Sequence, residues 1–341
     1  MRSSKQSFES RIAVIALAAA AFVPVVATSQ VVAPVPIEAE QPELPPGRSG
    51  MAPEGWVVVR YSVLADGTTA NVRVIDQMPA TLVDRPIRVG VERWRFEPAT
   101  TGGDAVDWHN NEAVIVFDQQ MVPPEPRPPF VAGYREVETL LQEGENEDAL
   151  RRSRRLVDTE ASRLAELGVA LVQNARVNML LGNQHEAYAA IRRATNPGIA
   201  LLEPSELVVA LEYRNTLELG LGDVVGALET FARRQELGAV AENDRMARSV
   251  DAIESGLASE AAIAVKGKML DDAWSHTLYR RTFAIGDLEG DLRQVNVECD
   301  RRTAELEYSE TAEWSLPESW GACTIFVTGR PDTEFALYEF P

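Results

Sequence analysis

The chain has 341 residues, with 33 Lys and Arg against 52 Asp and Glu, for a formal net charge of −19. That length suits two or three domains, each with a core of its own, and the acidity excludes nucleic acid as a partner, because phosphates demand a basic face. Two cysteines and three histidines leave little material for a metal centre.

Residues 1–29 read as a signal peptide. Arg2, Lys5 and Arg11 form a positive start, and Ile12 to Ala27 is an apolar run of 16 residues interrupted by Pro24. A spanning helix needs about 20 residues, so cleavage after Ala27 or Ser29 is expected, with an uncleaved membrane anchor as the alternative. Removing 1–27 takes away three basic residues and one acidic residue, which leaves a net charge of −21. Residues 30–50, rich in Pro, Glu and Gly, read as an extended linker.

Residues 51–121 read as one small module. "WVVVRYSV" alternates with Val57, Val59, Tyr61 and Val63 on one face, Asp66-Gly67 marks a two-residue hairpin, and "ANVRVID" returns as a second strand. The period then changes: Val83, Ile87, Val91 and Trp94 form a helical stripe, with Asp84 as its N-cap and Pro86 in its first turn. Trp94 closes the helix, Phe96 begins an extended segment and Pro98 shapes the exit; both aromatics are expected in the core. "ATTGGDAVDWHNN" reads as a polar loop, "EAVIVFD" as a third strand, and "VPPEPRPP" (122–129) as a second Pro-rich joint.

Residues 130–260 carry long amphipathic helical patterns. Gly144/Ala149, Gly182/Ala187 and Gly222/Ala227 repeat one spacing at intervals of 38 and 40 residues, the mark of stacked helix pairs with a tight turn and a close helix–helix approach. Residues 261–341 return to strand patterns in "QVNVEC", "AELEYS", "CTIFVTG" and "EFALYEF", which predicts a β domain. Cys299 and Cys323 are an even pair in an exported chain and are expected to form a disulfide. Closing a loop of about 25 residues contributes roughly 3.5 kcal/mol in the chain-entropy picture.

Groups for catalysis are scattered. His109, His185 and His276 fall in three different segments, His109 in a loop expected to be exposed, and no G-x-S-x-G or His-rich metal motif is present. Asp104, Asp107 and Glu112 lack the spacing of a calcium loop, and "RRSRR" (151–155) reads as a basic helix face paired with neighbouring acids. The sequence therefore predicts a protein that is not an enzyme and needs no cofactor and no metal.

The first module resembles the C-terminal domain of the TonB family of energy transducers. The resemblance rests on Glu54, Gly55, Val57, Val59, Asp66, Gly67, Val72, Val74, Trp94, Phe96, Pro98 and Phe117, in the family's order and spacing. It implies a small β-β-α-β fold, a Gram-negative host and a protein or peptide partner, possibly an outer-membrane or periplasmic protein. The middle segment resembles tetratricopeptide repeats more weakly, through Ala175, Gly182, Ala187, Ala194 and Pro197, then Gly222, Ala227 and Phe231. The fold expected is α+β and multidomain: a TonB C-terminal-like domain, a tetratricopeptide-like array and a C-terminal β domain.

The Tyr-Pro pair usual before the family's first strand is missing, and residues 28–53 span at most about 80–90 Å at roughly 3.3 Å each. The leading reading is therefore a non-enzymatic periplasmic adaptor that takes an extended peptide by strand addition at a sheet edge. Val114, Ile115, Val116 and Phe117 are the candidate edge. One alternative is a transducer held in the inner membrane by an uncleaved N-terminus, the one case that brings membrane contact. Another is an enzyme or enzyme subunit with its site in the C-terminal domain.

Overall fold

The computed structural model describes residues 31–43, 54–80, 82, 84–118, 126–240 and 245–341. The expected leader (1–29), residues 30 and 44–50 of the linker, Val83 of the helix stripe and residues 122–125 of the second joint lie outside the described residues.

Residues 31–43, read from sequence as free linker, run along the first module instead. They form β1 (Val31–Val32) and β2 (Val35–Glu38). Pro34 and Pro36 have no amide to donate, which confines such a segment to edge positions. There follow β3 (Gly55–Val63), β4 (Thr69–Met78), α1 (Asp84–Val91), β5 (Arg95–Glu97), β6 (Ala99–Thr101), β7 (Asp104–Val106) and β8 (Trp108–Phe117). β4, β3 and β8 make an antiparallel sheet in that order, β2 pairs with β5, and β1 joins a β6–β7 hairpin. That hairpin replaces the expected polar loop: Gly102 and Gly103, at φ 62° and 96°, turn the chain so that Thr101 faces Asp104. Asp84, read as a cap, is the first helical residue and pairs with Arg88 at 3.3 Å.

β3 is buried along its whole length. Val57, Val59, Tyr61 and Val63 pack with Ile87, Val91, Trp94, Phe96, Ile115 and Phe117. The opposite face does not meet water. Trp56 and Val58 join the core of the helices that follow.

Those helices are α2 (Pro128–Glu143), α3 (Asn146–Arg155) with a π-helical turn at Leu156–Glu160, α4 (Leu164–Leu181), α5 (Gln184–Ala194), α6 (Pro204–Leu221), α7 (Val224–Glu236) and α8 (Arg245–Leu257). Gly144, Gly182 and Gly222 each end a helix at φ 80°, the left-handed turn that glycine adopts without strain. Ala149, Ala187 and Ala227 are fully buried in the helix that follows each turn. The basic run meets acids: Arg152 bonds Glu136 at 2.5 Å and Glu160 at 3.0 Å, and Arg155 bonds Glu160 at 3.1 Å.

Residues 263–340 form β9 (Ile263–Lys268), β10 (Ala273–Thr277), β11 (Thr282–Glu289), β12 (Leu292–Cys299), β13 (Thr303–Leu306), β14 (Glu313–Ser315), β15 (Cys323–Gly329) and β16 (Glu334–Phe340). Two four-stranded antiparallel sheets result, β10-β15-β12-β13 and β14-β11-β16-β9. Their shared core includes Phe283, Ile285, Val295, Val297, Ile325 and Leu337. Cys299 and Cys323 are bonded across β12 and β15, directly opposite in register.

Trp56 joins the first sheet to the helices, and its indole N–H is buried with no acceptor among the described residues. Trp56→Ala is expected to cost about 3–5 kcal/mol in urea unfolding. Trp56→Phe keeps most of the packing and discards an orphan donor worth about 1–3 kcal/mol, so its loss should be much the smaller of the two.

Candidate functional site

The motif residues of the first module build the frame for β8. Gly55 lies so close to β4 that a Cβ there would stand 2.1 Å from the Met78 carbonyl. Gly67, at φ 81°, brings the hairpin onto the strand after α1: its carbonyl accepts from the Phe96 amide at 2.9 Å, and a Cβ would meet the Phe96 carbonyl at 2.2 Å. Asp66 accepts from the Thr68 amide at 2.9 Å and sets the turn. Trp94 and Phe96 flank Tyr61 with ring centroids 5.6 and 5.7 Å away. Pro98 is half-buried between β5 and β6. These residues are core and turn, and they hold β8 against β3.

β8 is one of the two edge strands of its sheet, β4 being the other. Ile115 and Phe117 face the α1 core and are buried, whereas Val114 and Val116 are half-buried against the helices. Ile115 lies opposite Val57, and Phe117 opposite Gly55. The Val116 carbonyl points away from β3 and accepts from the Gln41 side chain at 2.8 Å. By alternation, Glu112 and Val114 present their backbone groups to the same outer side. The arm before β3 thus reaches the edge, and it is anchored by the Trp94 Nε1 donating to the Glu40 carbonyl at 2.7 Å. At the other end of β8 the His109 amide donates to the Asp300 carbonyl at 2.6 Å.

The polar residues read earlier from the loop each have a structural role. His109 is half-buried on β8, with its Nδ1 3.1 Å from the Ser62 hydroxyl, because the strand begins four residues before the expected "EAVIVFD". Asp107 accepts from the Ala65 amide at 2.8 Å. Glu112 pairs at 3.1 Å with Arg60, which also stacks on Phe326 at 4.3 Å. Among the described residues no group of three or more His, Cys, Asp or Glu is placed to hold a metal ion. No helix among them is long and apolar enough to cross a membrane.

The family described as Gram-negative bacterial TonB protein C-terminal matches residues 40–118. Residues 40–118 belong to the TonB C-terminal domain family. Protein TonB of Escherichia coli strain K12 is 32% identical over 79 residues, which are 23% of this chain and 33% of that protein. Protein TonB of Pseudomonas aeruginosa is 31% identical over 71 residues, 21% of each chain. A solution NMR structure of the Pseudomonas aeruginosa TonB C-terminal domain aligns at 26% identity with a TM-score of 0.24, covering 26% of this chain and 90% of that one. The chain spans a third or less of the length of these two curated relatives. In the TonB domain, the residues that the sequence reading missed belong to the arm, Glu40 and Gln41. Both lie inside the family match, and that is the signal which would have found them.

The TonB domain is tied to the helices at the start of β3. Glu54 is buried there and accepts from the Leu164 amide at 3.0 Å. Burial pushes its carboxyl above the ordinary value of 4.5, against that hydrogen bond. A carboxyl with a raised folded-state value favours folding below its unfolded value, and this contribution is lost as pH rises through the folded one. Glu54→Gln keeps an acceptor for Leu164 and removes the titration. Between pH 4.5 and neutrality, its stability should therefore fall less, or rise more, than that of the parent in parallel chemical unfolding.

Proposed function

We propose that this chain is a non-enzymatic periplasmic adaptor, which docks an extended peptide segment of a partner protein along β8 of its TonB domain. The family match supports a TonB-like role in protein interaction or energy transduction. The observation that carries the finer reading is the state of β8. It is an edge strand of the sheet, and among the described residues its outward Val116 carbonyl is met only by the Gln41 side chain. A strand that presents backbone groups outward is a template for a further strand. The helices are read as a tetratricopeptide-like array, on the strength of the three glycine turns and buried alanines. With the C-terminal β domain, the array fixes the TonB domain in place: Trp56 and Val58 are sealed against the helices and His109 against Asp300. That fixation favours docking over the long reach of a transducer. Export by residues 1–29 places the adaptor in the periplasm of a Gram-negative bacterium.

The test is hydrogen exchange on the full chain with heptapeptides selected from a displayed library. Strand addition predicts new protection at the Glu112, Val114 and Val116 amides, which face outward. Gln41→Ala should leave the binding intact or strengthen it. Peptides that bind and protect other segments, or no peptide binding at all, would remove the reading.

A further inference from the structure

A cavity of about 990 Å³ lies where the three modules meet, between β3 and β8, the helices α5 to α7, and strands β10 and β15. The volume is in the range of small-molecule sites, roughly 300–1,000 Å³. Its walls are crowded with charge, and most of that charge is spent. Arg60 pairs with Glu112 at 3.1 Å, Arg193 with Asp76 at 2.7 Å and Arg214 with Glu218 at 2.6 Å. Arg233 donates to the Thr195 carbonyl, and Glu236 is exposed one turn further along α7. Asp223, in the adjoining space, accepts from the Tyr188 hydroxyl and from the Gly226 amide at 2.9 Å.

Arg192 and Glu229 also stand in the lining and, like Glu236, make no ion pair or hydrogen bond among the described residues. Arg192, on α5, is exposed to solvent and lines the cavity, where Tyr188, Asp223, Glu112 and Asp76 favour its positive charge. It rests over the Tyr188 ring at 5.5 Å. Glu229, on α7, is the counterpart: it meets solvent, and partial burial raises its carboxyl above the ordinary value against the attraction of Arg214 and Arg192. The two feel each other's charge without forming an ion pair. Both side chains meet solvent and neither is tied into an ion pair, so their hydrogen-bonding groups are open to a ligand that enters the cavity.

We propose that this cavity binds a small zwitterion, an amino acid or short peptide, with its carboxylate on Arg192 and its ammonium on Glu229. A guanidinium fork grips a carboxylate through two parallel hydrogen bonds. Glu229 sets the second requirement, because a ligand with negative charge alone would face an unrelieved carboxylate. Val58, Val114 and Phe326 offer apolar wall for the body of the ligand. The site is separate from the outer edge of β8 and stands whether or not that edge takes a strand.

Calorimetric titration of the full chain with L-alanyl-L-alanine tests this, alongside the N-acetyl and C-terminal amide forms of the same dipeptide. The dipeptide should bind saturably, and each blocked form should bind about 10- to 100-fold more weakly, the worth of one charged hydrogen-bonded contact. Arg192→Gln should weaken the free dipeptide to the same degree while leaving the amide form nearly unchanged. Absence of saturable binding at millimolar concentration, or equal binding of free and blocked forms to the parent chain, overturns the proposal without reference to any variant.

Discussion

Everything else in this molecule follows from a sheet that is apolar on both faces. An antiparallel sheet ordinarily leaves one face wet. Here β3 carries Val57, Val59, Tyr61 and Val63 toward α1, but it also carries Trp56 and Val58 toward the other side. Leaving a Trp and a Val exposed on that side forgoes roughly 25 cal/mol for each Å² that could be buried. The helices supply the cover, and the TonB domain becomes one wall of a larger body. Its second face is then an internal surface, while its edge strands, its arm and one side of α1 face outward.

Covering that face buries Arg60 as well, and this decides how the modules are joined. A guanidinium removed from water needs partners in place. Glu112 on the neighbouring strand supplies one, and the β domain supplies Phe326 beneath the ring plane and Glu298 at 3.9 Å. Arg73 also reaches Glu298, and Arg193 crosses from α5 to Asp76 on β4. Three cations of an acidic chain, Arg60, Arg73 and Arg193, thus serve its internal boundaries. The outer surface keeps the negative charge, which favours solubility.

Much of the TonB domain was legible because its signals are local. The alternation of β3, the turn at Asp66-Gly67 and the start of an extended segment at Phe96 each depend on residues close in sequence, and the structure places them as read. The turn is longer than the two-residue hairpin expected, since Val63 faces Thr69, and α1 ends at Val91, so Trp94 follows the helix instead of closing it. The glycine turns at 144, 182 and 222 were legible for the same reason, since a left-handed helix end calls for glycine whatever surrounds it. Trp56 and Val58 were present as a signal too: a strand apolar on both faces announces a second cover, although not which segment provides it. The arm was misread because proline-rich composition looks the same in a free linker and in an edge strand. The β6–β7 hairpin was misread because its strands are three residues long and polar. The cavity could not be read at all. Arg192 and Glu229 look like ordinary helical surface, and only the folding of distant segments brings them to one cavity.

The arm also bears on how an edge such as β8 can remain open without becoming a liability. An unprotected outer strand invites pairing with any extended chain. Among the described residues the arm lies nearby but adds no strand to β8; it pairs with β5 and β6 instead, and offers β8 one side-chain hydrogen bond from Gln41 to Val116. Such a bond has a net worth of about 1 kcal/mol. A partner strand that forms several backbone bonds with Glu112, Val114 and Val116 would displace it easily, whereas a casual contact that forms one would gain nothing. The edge is therefore guarded in proportion to the length of what approaches it, and that favours an extended segment over a random encounter.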